Sequence, residues 1–278
     1  MWQFEFRGTP SGAPIRAGSL DPRTLAECDQ LGVSKTMVWH GNQQTFAGDL
    51  WNITEVATTE RVPTLRFVGD CPSVDEIGKG LGGGRIVVVG NVGRYLGEGM
   101  TDGHILVHGN ADAAAGRDMA GGRIHIKGSA GDFVGSGAIG AKLGMTGGSI
   151  LVEGSVGIEA GKKMRRGLIA VGGDCGEFAG ASMIAGTILV FGAPGRNPGP
   201  GLKRGTIAYL GPDAETVGVL PTYADDGRFV PLFLNLFLKR LKEWGFPNIP
   251  DYAGRAFRRW RGDLLELGKG EILAALPS

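Results

Sequence analysis

Residues 148–192 read GSILVEGSVGIEAGKKMRRGLIAVGGDCGEFAGASMIAGTILVFG, and sliding this stretch against itself by 19 residues superposes Ile150 on Ile169 and Ile188, and Gly154 on Gly173 and Gly192. On either side of this stretch the isoleucine column extends to Ile86, Ile105, Ile124, Ile150, Ile169, Ile188 and Ile207, with spacings of 19, 19, 26, 19, 19 and 19. The glycines four positions later, Gly90, Gly109, Gly128, Gly154, Gly173, Gly192 and Gly211, repeat those spacings. A methionine column follows: Met100, Met119, Met145, Met164 and Met183, closed by Leu202. Three residues separate Gly116 from Met119 but ten separate Gly135 from Met145, so one seven-residue insertion, Ser136 to Lys142, interrupts the period.

A fixed period near 20 marks a solenoid, in which each unit buries its apolar face only by stacking on its neighbours. Helical solenoids need 33 or more residues per repeat, and the chain shows neither a leucine-rich consensus nor a hexapeptide or calcium-binding nonapeptide motif. An all-β parallel β-helix of about 19-residue coils is therefore expected. Each coil should hold two or three short strands separated by glycines that supply positive φ and close backbone approach.

This lattice accounts for the composition. Glycine makes up 51 of 278 residues, and 34 of them fall in the 129 residues from Gly83 to Gly211. Glycine plus proline, 65 residues, approaches the level of disordered chains, but 42% apolar content and the Ile/Val runs argue for a folded core. With 29 basic and 28 acidic side chains, no long-range field advertises nucleic acid or a membrane surface. Cys28, Cys71 and Cys175 form no CxxC pair, which suits a reducing compartment. The start, MWQFEFRGTP, lacks a basic and apolar leader, and no apolar run is long enough to span a bilayer, so a soluble cytoplasmic protein is expected.

Two residues after each isoleucine stand Val88, Val107, Ile126, Val152, Val171, Val190 and Tyr209, all expected to point inward. The intervening row, Val87, Leu106, His125, Leu151, Ala170, Leu189 and Ala208, should point outward yet is mostly apolar, so something covers it. The candidate cover is VPLFLNLFLKRLKEWG (Val230 to Gly245), through Leu232, Leu236 and Leu241; a partner subunit is the rival. The expected organisation is an N-terminal cap (1–64), a solenoid (65–211) and a C-terminal extension (212–278). Within the cap, Trp2, Phe4 and Phe6 alternate as a strand, Asp21-Pro22 should cap a helix reaching Gly32, and TFAGDLWNITEV should form a strand pair.

Reactive constellations are scarce. His104 and His108 lie about 13 Å apart on a strand, too far to share a metal. His40 and His125 read as structural or solvent-facing. No zincin, nucleophile-elbow, phosphate-loop or cysteine-metal pattern occurs, and GKGLGGG (Gly78 to Gly84) reads as the junction into the first full coil. Charge is more informative. Between Gly161 and Gly211 seven cations face two carboxylates. Arg165-Arg166 and Lys203-Arg204 hold the same positions two coils apart, with Lys162 and Lys163 adjoining. These six form a candidate stripe for an extended polyanion or an acidic surface on another polypeptide, the bland alternative being a solvated corner. Arg255, Arg258, Arg259 and Arg261 form a second basic cluster with the same ambiguity.

The coil motif G-x-x-M-x-x-G-x-I-x-V-x-G, and specifically MRRGLIAVGGDCGEFAGASMIAGTILVFG and LKRGTIAYLG, resembles the C subunit of the tungsten/molybdenum formylmethanofuran dehydrogenases and the C-terminal domain of glutamate synthase large chains. The tail YAGRAFRRWRGDLLELGKGEIL, the preceding LFLNLFLKRLKEWGFP and GDLWNI resemble the corresponding segments of the C subunit of the bacterial formyltransferase/hydrolase complex. The resemblance implies a right-handed parallel β-helix and a scaffold polypeptide with no catalytic residues of its own. It would stand beside an amidohydrolase-like A subunit, a B subunit and a formyltransferase D subunit. That complex exchanges formyl groups between tetrahydromethanopterin and a methanofuran-like carrier and releases formate. Lys162, Lys163, Arg165, Arg166, Lys203 and Arg204 would meet the carrier's polyglutamate tail. Membership of a true formylmethanofuran dehydrogenase remains an alternative. A self-contained β-helix carbohydrate-active enzyme is another, although Asp112, Asp118, Asp132, Glu153 and Glu159 share no column.

Overall fold

A computed structural model describes residues 1–8, 12–59, 61–252 and 254–277 of the chain. The N-terminal part alternates β1 (Trp2–Phe6), β2 (Ile15–Arg16), α1 (Pro22–Leu25), α2 (Gln30–Ser34), β3 (Met37–His40), β4 (Gln43–Phe46), α3 (Ala47–Leu50) and β5 (Trp51–Glu55). The repeat region contributes β6 (Thr64–Val68), β7 (Val74–Asp75), β8 (Gly82–Val89), β9 (Asp102–Val107), β10 (Arg123–Ile126), β11 (Ser149–Val152), β12 (Leu168–Val171), β13 (Thr187–Val190) and β14 (Arg204–Tyr209). β15 (Ala224–Phe229), α4 (Leu234–Glu243), β16 (Phe257–Gly262) and β17 (Lys269–Ala275) complete the chain.

The fold is mostly β. One 13-stranded sheet runs β15-β16-β17-β14-β13-β12-β11-β10-β9-β8-β6-β1-β5, parallel from β17 through β1 and antiparallel at both ends; a small sheet, β4-β3-β2-β7, flanks it. The isoleucine column is the register of this sheet, since Ile86 pairs with Ile105 and so on through Ile207. The tail joins the repeat it follows: β17 pairs in parallel with β14 and sets Ile272 beside Ile207.

From β8 to β14 each repeat has one strand, not the two or three expected, and the lead-in repeat alone adds a second, β7. The other side is tied by single-residue bridges, Cys71 to Val92, then Ala111, Ala130, Val156 and Cys175. Left-handed corners and glycines come too often there for a longer ladder to form: Phe178 (φ 60), Gly180 (φ 70) and Ser182 (φ 54) lie within five residues. A row without an apolar signature in the sequence strengthens this side. The residue after each column glycine accepts the backbone N–H of its counterpart in the next coil: Asn91 accepts from Asn110 (2.8 Å), Asn110 from Ser129 (2.8 Å), Ser155 from Asp174 (3.0 Å) and Asp174 from Ala193 (2.8 Å).

The isoleucine, valine and methionine columns are fully buried. Each methionine fills the space under the strand-entry glycine one coil on. A methyl group at Gly148 would come within 2.6 Å of Met119 Cε, and one at Gly186 within 2.7 Å of Met164 Cε. The two columns are thus a matched pair, not separate signals.

The outward row is covered by the C-terminal segment over its later members: Leu151, Ala170, Leu189 and Ala208 are buried, whereas Val87 and Leu106 are half-buried. Phe246 packs 5.7 Å from Phe191 and 6.5 Å from His125, and the Arg123 guanidinium lies 5.0 Å over Trp244. Of the three leucines expected to do the covering, Leu241 does so and Leu232 and Leu236 do not. Leu234, Leu238 and Leu241 are buried, but Leu232 and Leu236 are 70% and 73% exposed. α4 starts only at Leu234, and its 3.6-residue period then puts Leu238 and Leu241 on the inward face and Leu236 opposite.

Two local expectations at the N-terminus also change. Asp21 does cap a helix, accepting from the Arg23 N–H, but this helix ends at Leu25, and a second, capped by Asp29, spans Gln30–Ser34. Within TFAGDLWNITEV, residues 47–50 turn as α3 between β4 and β5, because Asp49 Oδ2 accepts the Phe46 N–H at 3.2 Å and starts a helical turn.

Candidate functional site

The six basic residues fall into two places. Arg165, Arg166, Lys203 and Arg204 line one cleft of about 280 Å³ together with Ile184, Ala185 and Leu267. Lys162 and Lys163 instead line a cavity of about 460 Å³ with Arg94, Tyr95, Arg117, Phe133 and the insertion loop. Met164, fully buried, divides them: the chain dives inward at the methionine, so the pair before it and the pair after it leave the coil at different corners.

The cleft is built by backbone register. The N–H groups of Arg165, Ile184 and Lys203 donate to the carbonyls of Met145, Met164 and Met183 at 2.8, 2.8 and 2.9 Å, which holds equivalent residues of successive coils in line. Ile184 and Ala185, one coil between the two cationic pairs, leave an apolar floor. The fourth wall comes from the β16–β17 turn. Asp263, buried, accepts from the N–H groups of Gly201 (3.1 Å) and Leu265 (3.0 Å), and its own N–H donates to the Leu202 carbonyl (3.0 Å). Desolvation opposes ionisation of this carboxyl, yet the hydrogen bonds it accepts hold it below the usual range. The turn so fixed presents Leu264, Leu265 and Leu267, all more than half exposed. Nothing periodic signals Asp263 or Leu267, so sequence reading could not place them.

Electrostatically the cleft is compensated at one of its four cations. Lys203 meets Glu266 at 3.5 Å, but Arg165, Arg166 and Arg204 have no carboxylate partner among the described residues. The second basic cluster differs: Arg258 pairs with Asp225 at 2.7 Å, Arg259 and Arg261 both meet Asp226, and Arg255 donates to the Leu276 carbonyl at 2.7 Å. Three of its four cations are matched by carboxylates of β15.

Two of the histidines, His104 and His125, are held in the large sheet. His125 Nε2 lies 2.8 Å from Glu153, and burial lowers its pKa although that carboxylate opposes the shift. Desolvation, then Arg123 and Arg85 beside it, push His104 down to about 4. The Cys71 and Cys175 thiols are pushed up to about 12 by burial, which keeps them protonated and poorly nucleophilic. Among the described residues no group of three or more His, Cys, Asp or Glu side chains is placed to hold a metal ion, and no helix is long and apolar enough to cross a membrane.

No protein-family model matches the chain. No curated protein matches it either. Among solved structures it is similar to a chain of the formyltransferase/hydrolase complex (FhcABCD) from Methylorubrum extorquens, crystallised in complex with methylofuran, at a TM-score of 0.86 and 32% identity over 99% of this chain and 100% of that one. A likeness of that identity over the whole length of both chains is one of family and not of fold alone: the chain belongs to the family of that formyltransferase/hydrolase complex component.

Proposed function

We propose that the chain is the β-helical C subunit of a formyltransferase/hydrolase complex, acting in tetrahydromethanopterin-linked one-carbon metabolism. In this reading it performs no chemistry itself. It organises an amidohydrolase-like A subunit, a B subunit and a formyltransferase D subunit, and helps hold the polyglutamate tail of a methanofuran-like carrier. The observation that carries the reading is the end-to-end likeness to a chain of the methylofuran-bound complex. The solenoid, spanning about 65–211 between the N-terminal cap and the C-terminal extension, would be the scaffold.

The cleft of Arg165, Arg166, Lys203 and Arg204 supports the tail-binding part. An extended glutamate chain presents carboxylates at intervals of several ångströms, and an uncompensated row of guanidinium groups answers it with charge-assisted hydrogen bonds. Lys162 and Lys163, on another corner, are left at its margin.

Purification of the complex through this chain from its native cell tests the assembly. The expected result is recovery with amidohydrolase-like and formyltransferase polypeptides; recovery alone would overturn the assembly reading. The tail contact is tested by Arg165→Glu with Lys203→Glu. The doubly reversed complex should bind the carrier about tenfold more weakly at low salt, equivalent to roughly 1.4 kcal/mol, and the gap between it and the parent should narrow as salt rises. Carrier affinity unchanged at low salt would retire the cleft as its site while leaving the assembly reading intact.

A further inference from the structure

The insertion that breaks the period builds a cavity wall. Met145 N–H donates to the Gly135 carbonyl at 3.1 Å. The same bond joins Met119 to Gly116 (3.2 Å), Met164 to Gly161 (3.0 Å) and Met183 to Gly180 (3.0 Å), where only two residues intervene. The coil therefore closes beneath the loop as if seven residues were missing, and a side chain at Gly144 would lie 2.9 Å from the Gly137 nitrogen, so the loop's ends touch. An appendage of this kind on one face of a repeat is a common place for a binding surface to be built.

Under the loop, Tyr95, Ala114 and Phe133 occupy one corner of three successive coils, with φ of 63°, 63° and 65°. Their side chains leave the coil at matching points, about 4.8 Å apart per coil. The alanine between two aromatic residues leaves the space that a larger side chain would fill, and the cavity of about 460 Å³ includes it. The Arg117 guanidinium lies 4.1 Å over the Tyr95 ring and is held there by Glu98, and this stack lines the cavity together with Phe133. Of the other cations, Arg94 is matched by Asp75 (3.7 Å) and Lys162 by Glu159 (2.7 Å). Lys163 donates to the Ala141 carbonyl of the loop at 2.7 Å and meets no carboxylate among the described residues.

We propose that this cavity is a binding site for a small planar aromatic acid, its ring against the aromatic lining of Tyr95 and Phe133 and its carboxylate or phosphate at Lys163. Apolar and aromatic walls with one convergent unmatched charge are what such a ligand requires, and the volume lies in the range of small-molecule sites. The inference stands whether or not the chain joins the complex proposed above.

The test titrates the purified full-length chain with phenyl phosphate and benzoate, and with benzamide, cyclohexanecarboxylate and inorganic phosphate as controls, following the Ala114 and Ala138 methyl resonances. Both aromatic acids should shift them with millimolar or tighter Kd, and the three controls should bind about tenfold more weakly or not at all. Removing residues 137–143 restores the spacing of the other coils and should leave a folded protein that no longer binds. Lys163→Gln should weaken phenyl phosphate about tenfold without changing benzamide, and it decides the matter if the shortened chain fails to fold. Inorganic phosphate binding as tightly as phenyl phosphate, no methyl shifts with either acid, or unchanged affinity in Lys163→Gln would overturn the proposal.

Discussion

At the residue scale, glycine serves two separable purposes in this chain. Gly180 has φ of 70° and a methyl there would come within 2.6 Å of Ile207 Cδ1 in the next coil, so both backbone and core demand glycine. Gly99 has φ of 63° with nothing within 4 Å, so only the backbone does. Gly99→Ala should cost about 1 kcal/mol, and Gly180→Ala about 2–4 kcal/mol because the overpacking adds to the left-handed penalty. Denaturant midpoints that fall equally in the two variants would contradict this division. A second residue-scale effect concerns His104, between Arg85 and Arg123 in one row of the sheet and close to His125. Its folded pKa is about 4 against an ordinary 6.5, so the unfolded chain binds the proton more readily. Stability should therefore rise with pH between about 4 and 6.5, and this contribution should vanish in His104→Gln. Equal losses of denaturant midpoint between pH 7 and pH 4.5 in the two proteins would refute it.

At the element scale, the C-terminal helix shows what amphipathic pattern alone leaves open. The run of leucines and phenylalanines predicts a covering helix, but the face it turns inward depends on where the helix begins, and no N-cap side chain marks that start: Phe233 precedes it without a capping hydrogen bond. Leu241→Ala should cost about 2–5 kcal/mol, whereas Leu236→Ala should lie within about 0.5 kcal/mol of the parent. Thermal unfolding of the two variants separates them, and comparable destabilisation would mean that the helix packs on the other face. The strands behave differently. Their pairing is legible because a one-residue slip would exchange the inward Ile and Val columns for the outward row, and the glycine and methionine columns allow one register only. The absence of second and third strands in each coil is not legible, since a glycine pattern shows where the chain bends and not how long a ladder survives between bends.

At the scale of the whole molecule, the chain is a periodic body closed by aperiodic ends, and the candidate sites lie where the two meet or where the period fails. The cationic cleft needs Leu267 and the Asp263-pinned turn from the tail, and the aromatic cavity needs the insertion. The period, the parallel register, the inward columns and the location of the insertion are legible in the amino-acid order, because each reflects a local backbone requirement repeated along the chain and readable by superposing the chain on itself. Which outer residues are covered, the parting of Lys162 and Lys163 from Arg165 and Arg166, and the extension of the sheet by β17 emerge from the folded chain alone. Those outcomes depend on where a buried methionine turns the chain and on how a unique tail packs against a repeated surface, and a contact made once leaves no period to read.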